Sequence, residues 1–98
     1  MSNSFITSQL RNNKVEIGNN SNADGLNCIA IGNNAECYSD LGVAIGKNAM
    51  VESYGAVAIG AGSYADEGED VSFGSPDIKR RLYNVANGTS ANDAVNLR

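Results

Sequence analysis

The chain of 98 residues has no histidine, no tryptophan, one proline, two cysteines and only 6% aromatic residues. Without histidine it lacks the usual general base and the commonest metal ligand, so neither enzyme, metal nor cofactor is expected. Positive charge is also sparse: seven Lys and Arg stand against eleven Asp and Glu, a net charge of −4. No basic run supplies the footprint that a phosphate backbone needs, which argues against a nucleic-acid partner. No stretch approaches the ~18 apolar residues of a membrane-crossing helix, and membrane insertion is not expected. The start Met1-Ser2-Asn3-Ser4 has neither the basic nor the apolar region of a secretory signal. Cys28 and Cys37 are too few for a disulfide framework. These absences predict a chain folded in a reducing cytoplasm, or a piece excised from something larger.

What the chain does contain is turn chemistry: 11 glycines and 14 asparagines. They are not scattered. The tetrapeptides Val15–Gly18, Ile29–Gly32, Val43–Gly46, Val57–Gly60 and Val71–Gly74 read VEIG, IAIG, VAIG, VAIG and VSFG, each starting 14 residues after the last. A short fixed period is the mark of a solenoid, in which one unit cannot bury its own apolar face and stacking must do so.

Aligned on the glycine, the columns separate by chemistry. Val15, Ile29, Val43, Val57 and Val71 form one column; Ile17, Ile31, Ile45, Ile59 and Phe73 form the next but one; Gly18, Gly32, Gly46, Gly60 and Gly74 close the motif. Side chains alternate along an extended segment, so Val and Ile share a face, which is expected to be the buried one. The middle column, Glu16, Ala30, Ala44, Ala58 and Ser72, is alanine inside and polar at both ends, as capping units require. Asn20, Asn34 and Asn48, with Gly62 in the fourth unit, read as turn residues that tolerate positive φ. Two small columns follow: Ser21, Ala35, Ala49, Ser63, and Ala23, Cys37, Val51, Ala65. So thin a core predicts that the monomer is not the folded unit.

The V-A-I-G repeat followed by N-A resembles the head repeats of trimeric autotransporter adhesins, the YadA-like family, from about Asn13 to Gly74. Arg80 to Asn96, R-R-L-Y-N-V-A-N-G-T-S-A-N-D-A-V-N, looks like the neck of the same family. The resemblance implies an all-β fold, a left-handed parallel β-roll of about five coils assembled as a homotrimer, followed by a neck over residues 75–98 that crosses to neighbouring subunits. It would give Arg80, Arg81, Leu82, Val85, Ala86, Ala94, Val95 and Asn96 to inter-subunit packing, and Asn84 and Asp93 to fixing the turns of the neck.

Family members carry a secretion signal, a stalk and a membrane anchor, none of which is visible here. The reading is therefore a non-enzymatic attachment module borrowed by a phage fibre or spike, displayed on a virion surface, with host-cell surfaces or other virion proteins as partners. The alternatives are a purely structural virion decoration protein and a head fragment of a bacterial outer-membrane adhesin at the cell surface. Residues 1–12, outside the repeat, would dock the trimer onto a larger particle.

Four further features carry expectations. Cys28 and Cys37 occupy columns of small residues and are expected as packed thiols rather than a bridge between adjacent coils. Asp66, Glu67, Glu69 and Asp70 are read as a solvated last coil whose charges meet Lys79, Arg80 and Arg81 at the head–neck junction, not as a cation site. Asn87-Gly88-Thr89 is expected to be the turn of the neck rather than a glycosylation acceptor. Tyr38, Tyr54 and Tyr64 form either a recognition surface or packing between subunits.

Overall fold

The computed structural model describes residues 13–97; the expected docking segment 1–12 lies outside them. Among the described residues nine short strands follow one another without a helix: β1 Val15–Ile17, β2 Asn22–Ala23, β3 Ile29–Ile31, β4 Glu36–Cys37, β5 Val43–Ile45, β6 Met50–Val51, β7 Val57–Ile59, β8 Tyr64–Ala65 and β9 Val71–Ser72. Odd strands stack as one parallel sheet in the order β1-β3-β5-β7-β9 and even strands as a second, β2-β4-β6-β8. The fold is thus a parallel β-solenoid of four complete coils with a fifth strand closing one sheet. Each residue pairs with its equivalent one coil on, for example Val43 with Val57 and Ala44 with Ala58. A parallel pairing needs a crossover, and here the even strand with its two turns provides it.

Two turns per coil reverse the chain. In the first, Asn20, Asn34, Asn48 and Gly62 have φ of 64°, 62°, 63° and 73°, as their column predicts. The glycine before them has two reasons to be glycine. Gly46 has φ of 130°, and a Cβ there would lie 2.6 Å from the carbonyl carbon of Gly60 on the next coil. Gly74 departs from its column: its φ is ordinary, and the room for a Cβ is taken by the Ile78 carbonyl.

The face assignment inferred from alternation is reversed. Within one chain the buried residues are the middle column, with Ala30, Ala44 and Ala58 at 0% exposure, whereas Ile17, Ile45 and Ile59 remain 39%, 36% and 38% exposed. The reason is volume. Between two sheets joined by such tight turns the interior has little room, so alanine, serine and cysteine fill it together with Val51, and the Val and Ile of the odd strands point away. Interiors pack to crystal-like density, and the coil meets that demand with little material.

One interior slot shows how the filling is balanced. Across it face Cys28 and Cys37, then Gly42 and Val51 in the next coil, then Ala56 and Ala65. A Cβ on Gly42 would come within 2.8 Å of Val51 Cγ1, so the smallest residue offsets the largest. In the coil of β3 and β4 the slot is filled by a disulfide, Cys28–Cys37, with Cα atoms 6.3 Å apart and both residues fully buried. This corrects the expectation of free thiols. The bridge also runs across a single coil, joining its two sheets, and not between adjacent coils.

Candidate assembly surface and neck

The outward face of the five-stranded sheet carries Val15, Ile17, Ile29, Ile31, Val43, Ile45, Val57, Ile59 and Val71, aligned by the parallel register into two aliphatic ladders. Phe73 extends the second ladder at 37% exposure. A continuous aliphatic stripe running the length of the stack is unlike singly scattered surface hydrophobes and marks an interaction surface.

The ends of the roll are closed by side chains. At the first coil, the Glu16 carboxylate accepts a 2.8 Å hydrogen bond from the Ala23 N–H. At the last, the Ser72 hydroxyl donates to the Gly74 carbonyl at 2.7 Å, and the Tyr64 N–H donates to the same carbonyl. Both polar members of the alanine column therefore act as caps.

Arg80, which the resemblance gives to packing between subunits, closes the far end of the roll within its own chain. In the first turns, the carbonyls of Asn19, Asn33 and Lys47 each accept from a backbone N–H one coil and one residue further on, from Asn34, Asn48 and Gly62. The same step from Ala61 reaches Pro76, which has no N–H to give. Instead Arg80 Nη2 donates to the Ala61 carbonyl at 2.8 Å, while Nη1 donates to the Phe73 carbonyl at 2.8 Å and to the Ser63 hydroxyl at 3.1 Å. The guanidinium also covers Gly60, where Gly18, Gly32 and Gly46 of the same column meet the next coil's backbone. Arg80 thus stands in for the missing coil, and its partners are carbonyls and a hydroxyl rather than the acidic run of residues 66–70. The solitary proline, placed where the next donor belongs, was the available signal. Lys79 likewise turns its ammonium to the carbonyls of Ser75 and Pro76.

Beyond the junction, residues 79–97 form no strand or helix. Leu82, Tyr83, Val95 and Leu97 stand exposed, the last two at 81% and 101%. Local hydrogen bonds set the path. Asn84 has φ of 64°. The Asp93 carboxylate accepts from the Thr89 and Ser90 N–H groups at 3.0 and 3.1 Å, and these donors hold its pKa below the ordinary value. Asn96 Nδ2 donates to the Val85 carbonyl at 3.0 Å and to Asn87 Oδ1 at 2.7 Å. Arg81, Val85, Ala86 and Ala94 occupy this same irregular segment.

The outward face of the four-stranded sheet differs in character. Asn22, Glu36, Met50 and Tyr64 lie in register along it, flanked by exposed Asp24, Tyr38, Glu52 and Asp66. The Tyr64 hydroxyl donates to the Glu52 carboxylate, which pushes its pKa up to about 12. Tyr38 is raised as well, chiefly by a hydrogen bond to Glu36. Among the described residues, no group of three or more Cys, Asp or Glu side chains is placed to hold a metal ion.

The YadA head domain repeat matches the chain in two copies, over residues 17–35 and 40–63. The crystal structure of the collagen-binding domain of the Yersinia adhesin YadA is similar with a TM-score of 0.59 and 32% sequence identity, covering 87% of this chain and 63% of that one. The chain therefore spans less than two thirds of that domain's length. No curated protein matches it.

Proposed function

We propose that this chain, whose roll is similar to the YadA head, works as a non-enzymatic homotrimeric attachment module that presents its roll to a host matrix or cell surface. The half-exposed Val/Ile ladder carries this reading. It provides an aliphatic face on one side of each roll, and three such faces meeting on a common axis bury together what a single chain leaves in water. The neck residues Leu82, Val85, Ala86, Ala94 and Val95 then pack against neighbouring subunits, with Arg80 anchoring the segment from which they depart. Three copies of a weak site on one rigid body gain avidity. The similar Yersinia domain binds collagen, and matrix proteins of that kind are the first ligands to test.

The buried Cys28–Cys37 bridge bears on location. Disulfides persist in oxidising compartments and are rare in the cytosol, so the bridge favours export and display on a bacterial surface over a phage fibre or spike assembled in the cytoplasm.

Analytical ultracentrifugation of the chain is expected to give three copies per particle. The double substitution Ile31→Asn and Ile45→Asn is expected to give a monomer that keeps its β-sheet circular dichroism. A wild-type chain that stays a folded monomer at micromolar concentration overturns the assembly, and trimers that bind neither immobilised matrix proteins nor cells overturn the attachment role.

A further inference from the structure

Asparagine gives this chain many of its turns, and it is also a reactive group, because the backbone nitrogen of the next residue can attack its side-chain amide. Along the roll that nitrogen is engaged at Asn20, Asn34 and Asn48, where Ser21, Ala35 and Ala49 donate their N–H groups to the carbonyls of Gly18, Gly32 and Gly46. At Asn22 the following N–H, that of Ala23, goes to the Glu16 carboxylate.

The neck departs from this pattern at one place. Asn87 is the only asparagine followed by glycine, so no side chain hinders the attack. Both residues are exposed, and among the described residues the Gly88 N–H has no acceptor. The electrophile is prepared as well. Asn96 Nδ2 donates to Asn87 Oδ1 at 2.7 Å, and the same nitrogen donates to the Val85 carbonyl at 3.0 Å, which fixes the way the Asn96 amide points. A donor held on that oxygen stabilises the negative charge that develops there when the amide carbon is attacked.

We propose that Asn87-Gly88 is a self-modifying site of the neck, with Asn96 as its activating donor. The Gly88 nitrogen bonds to Asn87 Cγ, the Cγ–Nδ2 bond breaks, and the amide nitrogen leaves as ammonia with the proton that Gly88 gives up. Water then opens the cyclic imide at either carbonyl and leaves aspartate or isoaspartate, with nothing oxidised or reduced. Either product puts a carboxylate near Asp93, whose Cβ lies 3.4 Å from where a Gly88 Cβ would sit, and like charges so placed repel. Isoaspartate also lengthens the backbone of the turn. The neck therefore loosens with age while the roll stays intact. None of this rests on the attachment reading.

The test incubates the full chain in mildly alkaline buffer, follows the mass change of an amide-to-acid exchange, and locates it by peptide mapping with isoaspartate detection. Modification is expected at Asn87 well before any other asparagine, with ammonia released in step. Asn87→Gln, whose longer side chain closes the ring poorly, should abolish it. Asn96→Ala separates activation from mere exposure: a looser turn by itself would speed the reaction, whereas loss of the donor should slow it several-fold, with Asn96→Gln recovering part of the rate. Amide exchange in aged wild type should be faster over residues 84–96 and unchanged in β3, β5 and β7, and Asn87→Asp should show part of that change from the start. Earlier modification at another asparagine, or an Asn87 that survives as long as Asn22 or Asn48, overturns the site. An Asn96→Ala chain that reacts as fast as wild type or faster overturns the role of Asn96, and an aged neck that exchanges like fresh protein overturns the loosening.

Discussion

The roll and the neck are made from one chain by opposite economies. In the roll each coil's backbone groups are matched by the next coil, the interior is filled by side chains no larger than valine, and both ends are closed by Glu16, Ser72 and Arg80. Its outward aliphatic face stays partly exposed, with Ile17, Ile45 and Ile59 at 39%, 36% and 38%. Beyond Arg80, the neck has no sheet ladder and leaves Leu82, Tyr83 and Val95 in water, and its own chain supplies only a few turn-fixing hydrogen bonds. Backbone pairing in the roll is thus supplied coil by coil within one chain, while its aliphatic face is left partly in water. The roll thus leaves one apolar face partly exposed, whereas the neck leaves most of its large apolar side chains in water.

The largest way to break that contrast is to attack the stacking itself. Gly46→Val would place a β-branched residue at φ of 130° and drive its Cβ into the Gly60 carbonyl. Strain of that kind costs about 1–3 kcal/mol, and the clash raises the total beyond about 4 kcal/mol. Loss of the cooperative thermal transition by circular dichroism is expected. The same substitution at Gly68, where φ is 39° but a Cβ meets nothing within 4 Å, keeps the backbone strain without the clash and is expected to shift the melting temperature less.

A smaller effect should come from the bridge. Replacing Cys28 and Cys37 together by alanine removes a short loop closure, worth about 2–3 kcal/mol in the chain-entropy account, and the roll alone should lose it. Denaturant unfolding with and without reductant checks this: reductant should lower the midpoint of wild type and leave the double alanine variant unmoved.

Arg80 lies where the two regions meet. Arg80→Ala is expected to cost about 1.5–3 kcal/mol, the range for hydrogen bonds to a charged group. Arg80→Lys should recover little, because one ammonium cannot reach the Ala61 and Phe73 carbonyls as the planar fork does. Amide hydrogen exchange localises the loss: it should rise in β7, β8 and β9 and stay unchanged in β1 and β3. Uniform acceleration through all coils would mean that Arg80 does not act as an end cap.

How much of this was legible in the sequence follows from what each residue type reveals. The period, the strand positions and the positive φ of Asn20, Asn34, Asn48 and Gly62 follow from spacing and turn chemistry, which are local. The polar ends of the alanine column announced the caps. The face reversal was not legible from alternation, because alternation says that Val and Ile lie together and is silent on which side is inside. Interior volume decides that, and the run of Ala30, Ala44 and Ala58 was the overlooked measure of it. The bridge was missed for a related reason. Taken singly, the columns of Cys28 and Cys37 ask only for a small residue, whereas the slot is shared across the coil, as Gly42 opposite Val51 shows. Leu41, at φ of 62° where Asn27 and Gly55 hold the equivalent places, breaks the turn rule in the second corner, and nothing in the structure explains the choice of leucine.

The smallest expected effect belongs to the neck and to pH. Asp93 is fully exposed, and its pKa lies below the ordinary 3.8 because first the Thr89 N–H and then the Ser90 N–H donate to the carboxylate. A carboxylate depressed in the folded state stabilises it fully above the unfolded value, and the contribution disappears as pH falls through the folded one. The window is therefore acidic, below about pH 4, and neutral pH leaves the turn intact. In an NMR titration the Thr89 and Ser90 amides should move together as Asp93 protonates, with an apparent pKa under the usual carboxylate range, while the amides of the roll interior stay still. Asp93→Asn should remove that transition and leave the melting of the roll unchanged. A midpoint at the ordinary value would mean that these hydrogen bonds do not hold the turn in solution. Coupled movement of the roll would mean that the two regions are one cooperative unit, and that their contrast stops at the level of hydrogen bonds.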